Sequence, residues 1–322
     1  KITAEEYQEY VKTLKNVDDP SVPVPGEDDV WEEENFFKFI RRRDEENIQL
    51  RVYRCSPGVT PKSLICMFHG WNDCMERTAH IARAFARAGH IAVGFDQAGY
   101  GKSEGTRGMI RDLEETLADA EDFIDKVANL HDPTLPKFLA GESLGGHISI
   151  RLALRNPKKY DGLVLFSPAI HTDENTERVA KFMAQLLKPV LPTLAVKKQD
   201  LSTINRFTHF NTEFENHPST FTDSIMTITG ASLVSALEFI MEHGHKVTTP
   251  FLLVQGGCDK MCNAQEAFNF LDKVAAKVEK QILYYPDMWH GVWHDPRWEE
   301  ILDHADHWIH DRIHQLYAKG SD

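Results

Sequence analysis

A chain of 322 residues, 26% of them charged and 42% hydrophobic, is long enough to bury a sizeable core and has ordinary globular composition. A net charge of −13 leaves no basic face for nucleic acid, and no apolar run approaches the roughly 20 residues that span a bilayer. The five cysteines (Cys55, Cys66, Cys74, Cys258 and Cys262) are odd in number and form no CxxC pair, which argues against a disulfide framework and fits a reducing, cytoplasmic setting.

Residues 1–34 are polar and acidic, and VPVPGEDDVWEEE reads as an extended, poorly structured lead-in. NFFKFIRR and NIQLRVYRC are β-prone runs around the turn-like DEEN and predict an antiparallel hairpin. Strands and helices then alternate. SLICMF, HIAVGF, KFLAGE, GLVLFS, PFLLVQ and QILYYP are continuous apolar runs of the kind found in buried parallel strands. Amphipathic helical patterns separate most of them, and RWEEILDHADHWIHDRIHQLY adds a final helix. The alternation predicts the α/β class: a mostly parallel central sheet with helices on both faces.

Between GLVLFSPA and PFLLVQ about 80 residues carry no clear strand, a length better read as a helical insertion than as a loop. The expected organisation is an N-terminal extension (1–34), a first core part (35–169), a helical cap after the sixth strand (170–248) and a second core part (249–322). Within the cap, Val179, Phe182, Met183, Leu186, Leu187 and Val190 share one helical face. Arg178, Lys181, Lys188, Lys197 and Lys198 give it a local positive balance. Two readings stand: a lid that admits an acyl chain at Leu186 and Leu187 or meets a membrane surface, and a helix packed on the core.

Gly141, Ser143 and Gly145 fit the G-x-S-x-G nucleophile elbow. The context supports it, because KFLAGE ends at Glu142 and a helical pattern opens at Leu144, and α/β sheets bind ligands outside the carboxyl ends of their strands. A serine hydroxyl needs a positioned base. Partners should follow in the order acid then histidine, each after a later strand. Asp259 follows PFLLVQ, although it could instead cap the next helix, and Asp287 is a rival acid. His290 and His294 both follow QILYYP; His290 is nearer the strand end and precedes Gly291.

Oxyanion donors are expected at the Leu144 N–H and, from the loop MFHGWNDC, the Trp71 N–H, with His69 and Gly70 bordering the substrate. Asp96 should anchor the loop DQAGYGKSEG, whose GYGKS lacks phosphate-cradle spacing. His310 and His314 have metal-compatible i,i+4 spacing but read as a solvated helix face, and the Cys258–Cys262 spacing is not that of a structural zinc site. No metal or cofactor is expected.

In this order FHGW, FDQAGYGKSEG, AGESLGG, LVLFSPA, FLLVQGGCDKMC and MWHGVWH resemble monoglyceride lipases and related lysophospholipases of the serine α/β-hydrolase superfamily. The resemblance runs from about residue 38 to 315. It implies a triad of Ser143, Asp259 and His290, an oxyanion hole at Trp71 and Leu144, and a Cys262 close to the substrate. It departs at HGWNDC, where these lipases commonly have HGxGEH, and at Glu142 and Leu144, where many have His and Met. The expected activity is hydrolysis of acyl-lipid esters, foremost monoacylglycerol to fatty acid and glycerol through an acyl-Ser143 intermediate. The alternatives are a lysophospholipase, another carboxylesterase or a thioesterase, and more distantly a ligand receptor with little turnover. The partners implied are the lipid substrate and a membrane surface met peripherally through the cap.

Overall fold

The continuous apolar runs form the middle of one sheet. In the computed structural model, which describes residues 4–40, 47–171 and 191–319, the first six strands are β1 (Glu33–Ile40), β2 (Asn47–Cys55), β3 (Leu64–Phe68), β4 (Ile91–Phe95), β5 (Lys137–Glu142) and β6 (Gly162–Phe166). After an insertion come β9 (Phe251–Gly256) and β10 (Lys280–Tyr285). The sheet order is β1-β2-β4-β3-β5-β6-β9-β10. The β1–β2 hairpin and the β2–β4 pair are antiparallel, and every other pair is parallel. This is an α/β-hydrolase fold.

Burial explains why the strands do not alternate in sequence. Every residue of β3, β4, β6 and β9 is buried, so both faces need apolar side chains. Successive residues divide between two cores. Leu64, Cys66 and Phe68 pack with Leu117 and Phe123 of α3 (Leu113–Ala128) and Ile148 of α4 (Leu144–Arg155). Ile65 and Met67 pack with Ile81 and Phe85 of α2 (Ala79–Arg87) and with Ile301 and Trp308 of α8 (Trp298–Lys319). Each large side chain so buried contributes about 1.5–3 kcal/mol.

Two expectations are corrected. The stretch VPVPGEDDVWEEE is not a loose lead-in: it buries Trp31, whose Nε1 donates to the Met75 carbonyl at 2.6 Å, and ahead of it lies α1 (Ala4–Thr13), which buries Val11. The insertion is not purely helical. Its described part holds α5 (Thr208–Asn216) and α6 (Thr227–His243), but also an antiparallel ribbon of β7 (Ala195–Lys198) and β8 (Ser224–Met226). Strands of four and three residues are too short to leave a periodicity in sequence. The remaining helix, α7 (Ala264–Lys273), follows β9, and Asn263 caps it by accepting from Gln265 N.

Candidate active site

The turn between β5 and α4 holds Ser143 in a backbone conformation that residues with a side chain rarely adopt, φ 53° and ψ −114°. Close packing imposes it. A Cβ on Gly141 would overlap the Gly145 carbonyl, and one on Gly145 would overlap the Phe68 carbonyl. Glycine at both positions therefore lets α4 start tight against β5 and β3. Backbone bonds fix the turn, with Ser143 N donating to Phe166 O (2.9 Å) and Ala169 N to Ser143 O (3.0 Å).

Two later strand ends supply an acid and a histidine. Asp259, just past β9, is 2% exposed, and its Oδ1 accepts from the Met261 and Cys262 N–H groups at 2.8 Å each. Its Oδ2 accepts from Gln255 Nε2 (3.2 Å) and pairs with His290 Nδ1 (2.9 Å). Thus a carboxylate locked by backbone donors holds one ring nitrogen of His290. Burial opposes charge on His290, but the Asp259 carboxylate and the adjoining Cys262 outweigh it and hold the imidazole pKa well above its ordinary value. Cys262 lies beside this pair; burial pushes its thiol pKa up against the pull of His290.

Ser143, Leu144, Trp71, Asp259 and Cys262 line one cavity of about 760 Å³. Leu233, Ala236 and Leu237 of α6 add an apolar wall. Trp71 and Leu144, whose N–H groups are the expected oxyanion donors, both line this cavity. The Trp71 loop is braced against the insertion: Phe221 N donates to Asn72 O (2.9 Å), and Asn72 Nδ2 donates to Gln199 Oε1 (2.8 Å). Buried Arg77 also joins Asp73 of that loop to Glu213 of α5.

Residues 59–297 match the Hydrolase_4 family model, described as serine aminopeptidase, S33. The chain belongs to the Hydrolase_4 family. Among relatives of similar sequence, a monoacylglycerol lipase of Mycolicibacterium smegmatis is 26% identical over 79% of this chain and 90% of its own. The human monoglyceride lipase is 29% identical over 73% of this chain and 77% of its own. The crystal structure of a Paleococcus ferrophilus monoacylglycerol lipase superposes with a TM-score of 0.69 at 25% identity, covering 81% of this chain and 99% of that one.

Within this Hydrolase_4 chain the rivals of Asp259 and His290 are engaged elsewhere. Asp287 pairs with Arg297 at 2.9 Å, and His294 Nε2 donates to the Arg77 carbonyl at 3.0 Å. His69 differs from expectation. It is buried, its Nδ1–H donates to Gly70 O (2.8 Å), its Nε2 accepts from Gln97 N (3.0 Å), and it does not line the Ser143 cavity. It shapes the Trp71 loop instead, while the Gly70 backbone packs near the Ser143 side chain.

Asp96 anchors its turn as expected, accepting from Met75 N, Lys102 N and the Tyr53 hydroxyl. His310 Nε2 meets Lys62 Nζ at 2.9 Å, and the Cys258 thiol donates to Pro286 O. The proposed lid residues Leu186 and Leu187, with the rest of 172–190, lie outside the described residues.

Two participants escape sequence reasoning. Gln8, Val11 and Lys12 of α1 line the cavity, although nothing in a polar ten-residue stretch points there. Glu142, the residue before Ser143, accepts from Trp293 N at 2.7 Å and so ties the elbow to the loop that carries His290. Burial raises its carboxyl pKa to about 7. A charged residue inside G-x-S-x-G, at the end of an otherwise apolar strand, was the one available signal.

Proposed function

We propose that this protein is a carboxylic ester hydrolase that cleaves monoacylglycerol to fatty acid and glycerol through Ser143. The observation that carries the reading is the buried Asp259–His290 pair, 2.9 Å apart, beside the largely apolar cavity that Ser143 and both candidate oxyanion donors line. The relatives named as monoacylglycerol lipases support the substrate class.

His290 Nε2 takes the Ser143 proton as Oγ attacks the ester carbonyl carbon, and Asp259 holds the imidazolium that forms. The Trp71 and Leu144 N–H groups hold the oxyanion of the tetrahedral intermediate. His290 then protonates the departing glycerol oxygen. Water, deprotonated by the same imidazole, attacks the acyl-Ser143 ester and releases the fatty acid.

No described helix is long and apolar enough to cross a membrane. The substrate is delivered from a lipid surface met peripherally by the cap. Leu191, Leu194 and Val196 support this contact, since all three are exposed on one short stretch of the insertion.

The test is fatty-acid release from 1- and 2-monoacylglycerol, lysophosphatidylcholine, diacylglycerol and a short p-nitrophenyl ester, with Ser143→Ala in parallel. Turnover concentrated on monoacylglycerol and absent in the variant is the expected result. Turnover of the short ester alone would remove the lipid substrate, and turnover that survives in Ser143→Ala would remove the nucleophile.

A further inference from the structure

Helix α1 lies outside the family match, which begins at residue 59, yet it touches the loops that build the site. The Tyr7 hydroxyl donates to Pro286 O at 2.9 Å, on the turn leading from β10 to His290. Val11 packs in a small apolar cluster with Cys258 and Trp289, the residues immediately before Asp259 and His290. Lys260 Nζ donates to Leu14 O and lies 4.0 Å from the centre of the Trp289 ring. Beyond the helix, Asn16 Nδ2 donates to the Ser202 and Asn205 carbonyls, and Val17 exchanges backbone bonds with Arg206 and Thr208. The segment therefore clasps the acid loop, the histidine loop and the insertion at once.

Its position bears on substrate as well as on scaffold. Gln8, Val11 and Lys12 are spaced i, i+3, i+4, so they share one helical face, and that face lines the Ser143 cavity. Leu233, Ala236 and Leu237 repeat the spacing on α6 and line the same cavity. Two helical faces thus bound the space an acyl ester enters. Val11 is committed to the cluster beneath it at 1% exposure, and Lys12 pairs with Glu9. Gln8, half-buried, is the α1 side chain left to set the width of that space.

We propose that α1 is a specificity wall of this enzyme, and that the side chain at position 8 determines how long an acyl chain the Ser143 cavity takes. This rests on the reading of Ser143 as the ester-cleaving nucleophile. Each methylene kept out of the cavity is worth roughly fourfold in binding, so excluding two exceeds tenfold.

The test compares inactivation rates by a dodecyl and an ethyl fluorophosphonate in the full chain, with the labelled residue identified by mass spectrometry and folding checked by melting temperature. Gln8→Trp should lower the long-to-short rate ratio at least tenfold, and Gln8→Ala, which leaves the helix intact, should raise it at least twofold. A ratio unmoved in both variants, or equal losses on both probes, would overturn the wall while leaving the nucleophile standing. Absence of label on Ser143 in the unsubstituted protein would overturn the nucleophile reading and the wall with it.

Discussion

Replacing Ser143 with glycine should stabilise the protein while ending its turnover. A residue with a side chain held at φ 53° and ψ −114° carries of order 1–3 kcal/mol of backbone strain. Glycine relieves most of that strain. Its greater freedom in the unfolded chain returns about 0.5–1 kcal/mol. No helix-capping bond is lost, because the Ser143 side chain makes none to α4. The net gain is about 1 kcal/mol. Ser143→Ala is the reference, since it removes the hydroxyl but keeps the Cβ and the strain. Urea unfolding of the three proteins, followed by fluorescence of the six tryptophans, should place Ser143→Gly about 1 kcal/mol above Ser143→Ala at equal m-value. A glycine variant no more stable than the alanine variant would show that the elbow stores no strain at this residue.

Three further outcomes are expected. The mechanism needs neutral His290, and Asp259 holds its pKa above the ordinary histidine value despite burial, so kcat/KM should rise with pH through that elevated pKa and then level. Asp259→Asn should lower kcat roughly 10³–10⁴-fold and move the limb to lower pH; a limb at or below 6.5 in the unsubstituted enzyme would contradict this. Glu142, with a carboxyl pKa raised by burial from 4.5 to about 7, stabilises the fold fully below pH 4.5, and that contribution is lost as pH rises to 7. Because the gap corresponds to about 3 kcal/mol, Glu142→Gln should flatten the fall in stability between pH 4.5 and 8 by up to that amount in urea titrations; parallel profiles would refute it. The triple change Leu191→Asp, Leu194→Asp and Val196→Asp should cut sedimentation with phospholipid vesicles at least tenfold, and unchanged sedimentation would remove the membrane contact from this stretch.

The core was legible because a strand buried on both faces is apolar at nearly every position, so LICMF and GLVLF announced themselves without help from tertiary structure. The positions of Ser143 and Asp259 were legible for a related reason: each follows the carboxyl end of a largely buried strand, where the fold leaves an opening. His290 was only half legible. His294 follows the same strand, and only the packed structure turns one ring to Asp259 and the other to the Arg77 carbonyl. The ring of His69 folds back onto its own loop because Gln97 supplies a donor 28 residues away in sequence.

Helix α1 left no signal in the sequence because AEEYQEYVKT has little apolar surface of its own. Its order comes from docking Tyr7, Val11 and Leu14 against Cys258 and Trp289, contacts whose partners lie some 250 residues away. The β7–β8 ribbon was lost for want of length.

A covalent acyl enzyme on Ser143 is read directly by mass spectrometry of the protein quenched in acid within milliseconds of mixing with monooleoylglycerol. Trypsin should release residues 138–151, FLAGESLGGHISIR, carrying one added oleoyl group on Ser143, formed before steady-state fatty-acid release and absent in Ser143→Ala. Monooleoylglycerol hydrolysis with that peptide unmodified at every time, or with the acyl group on another residue, would contradict the account.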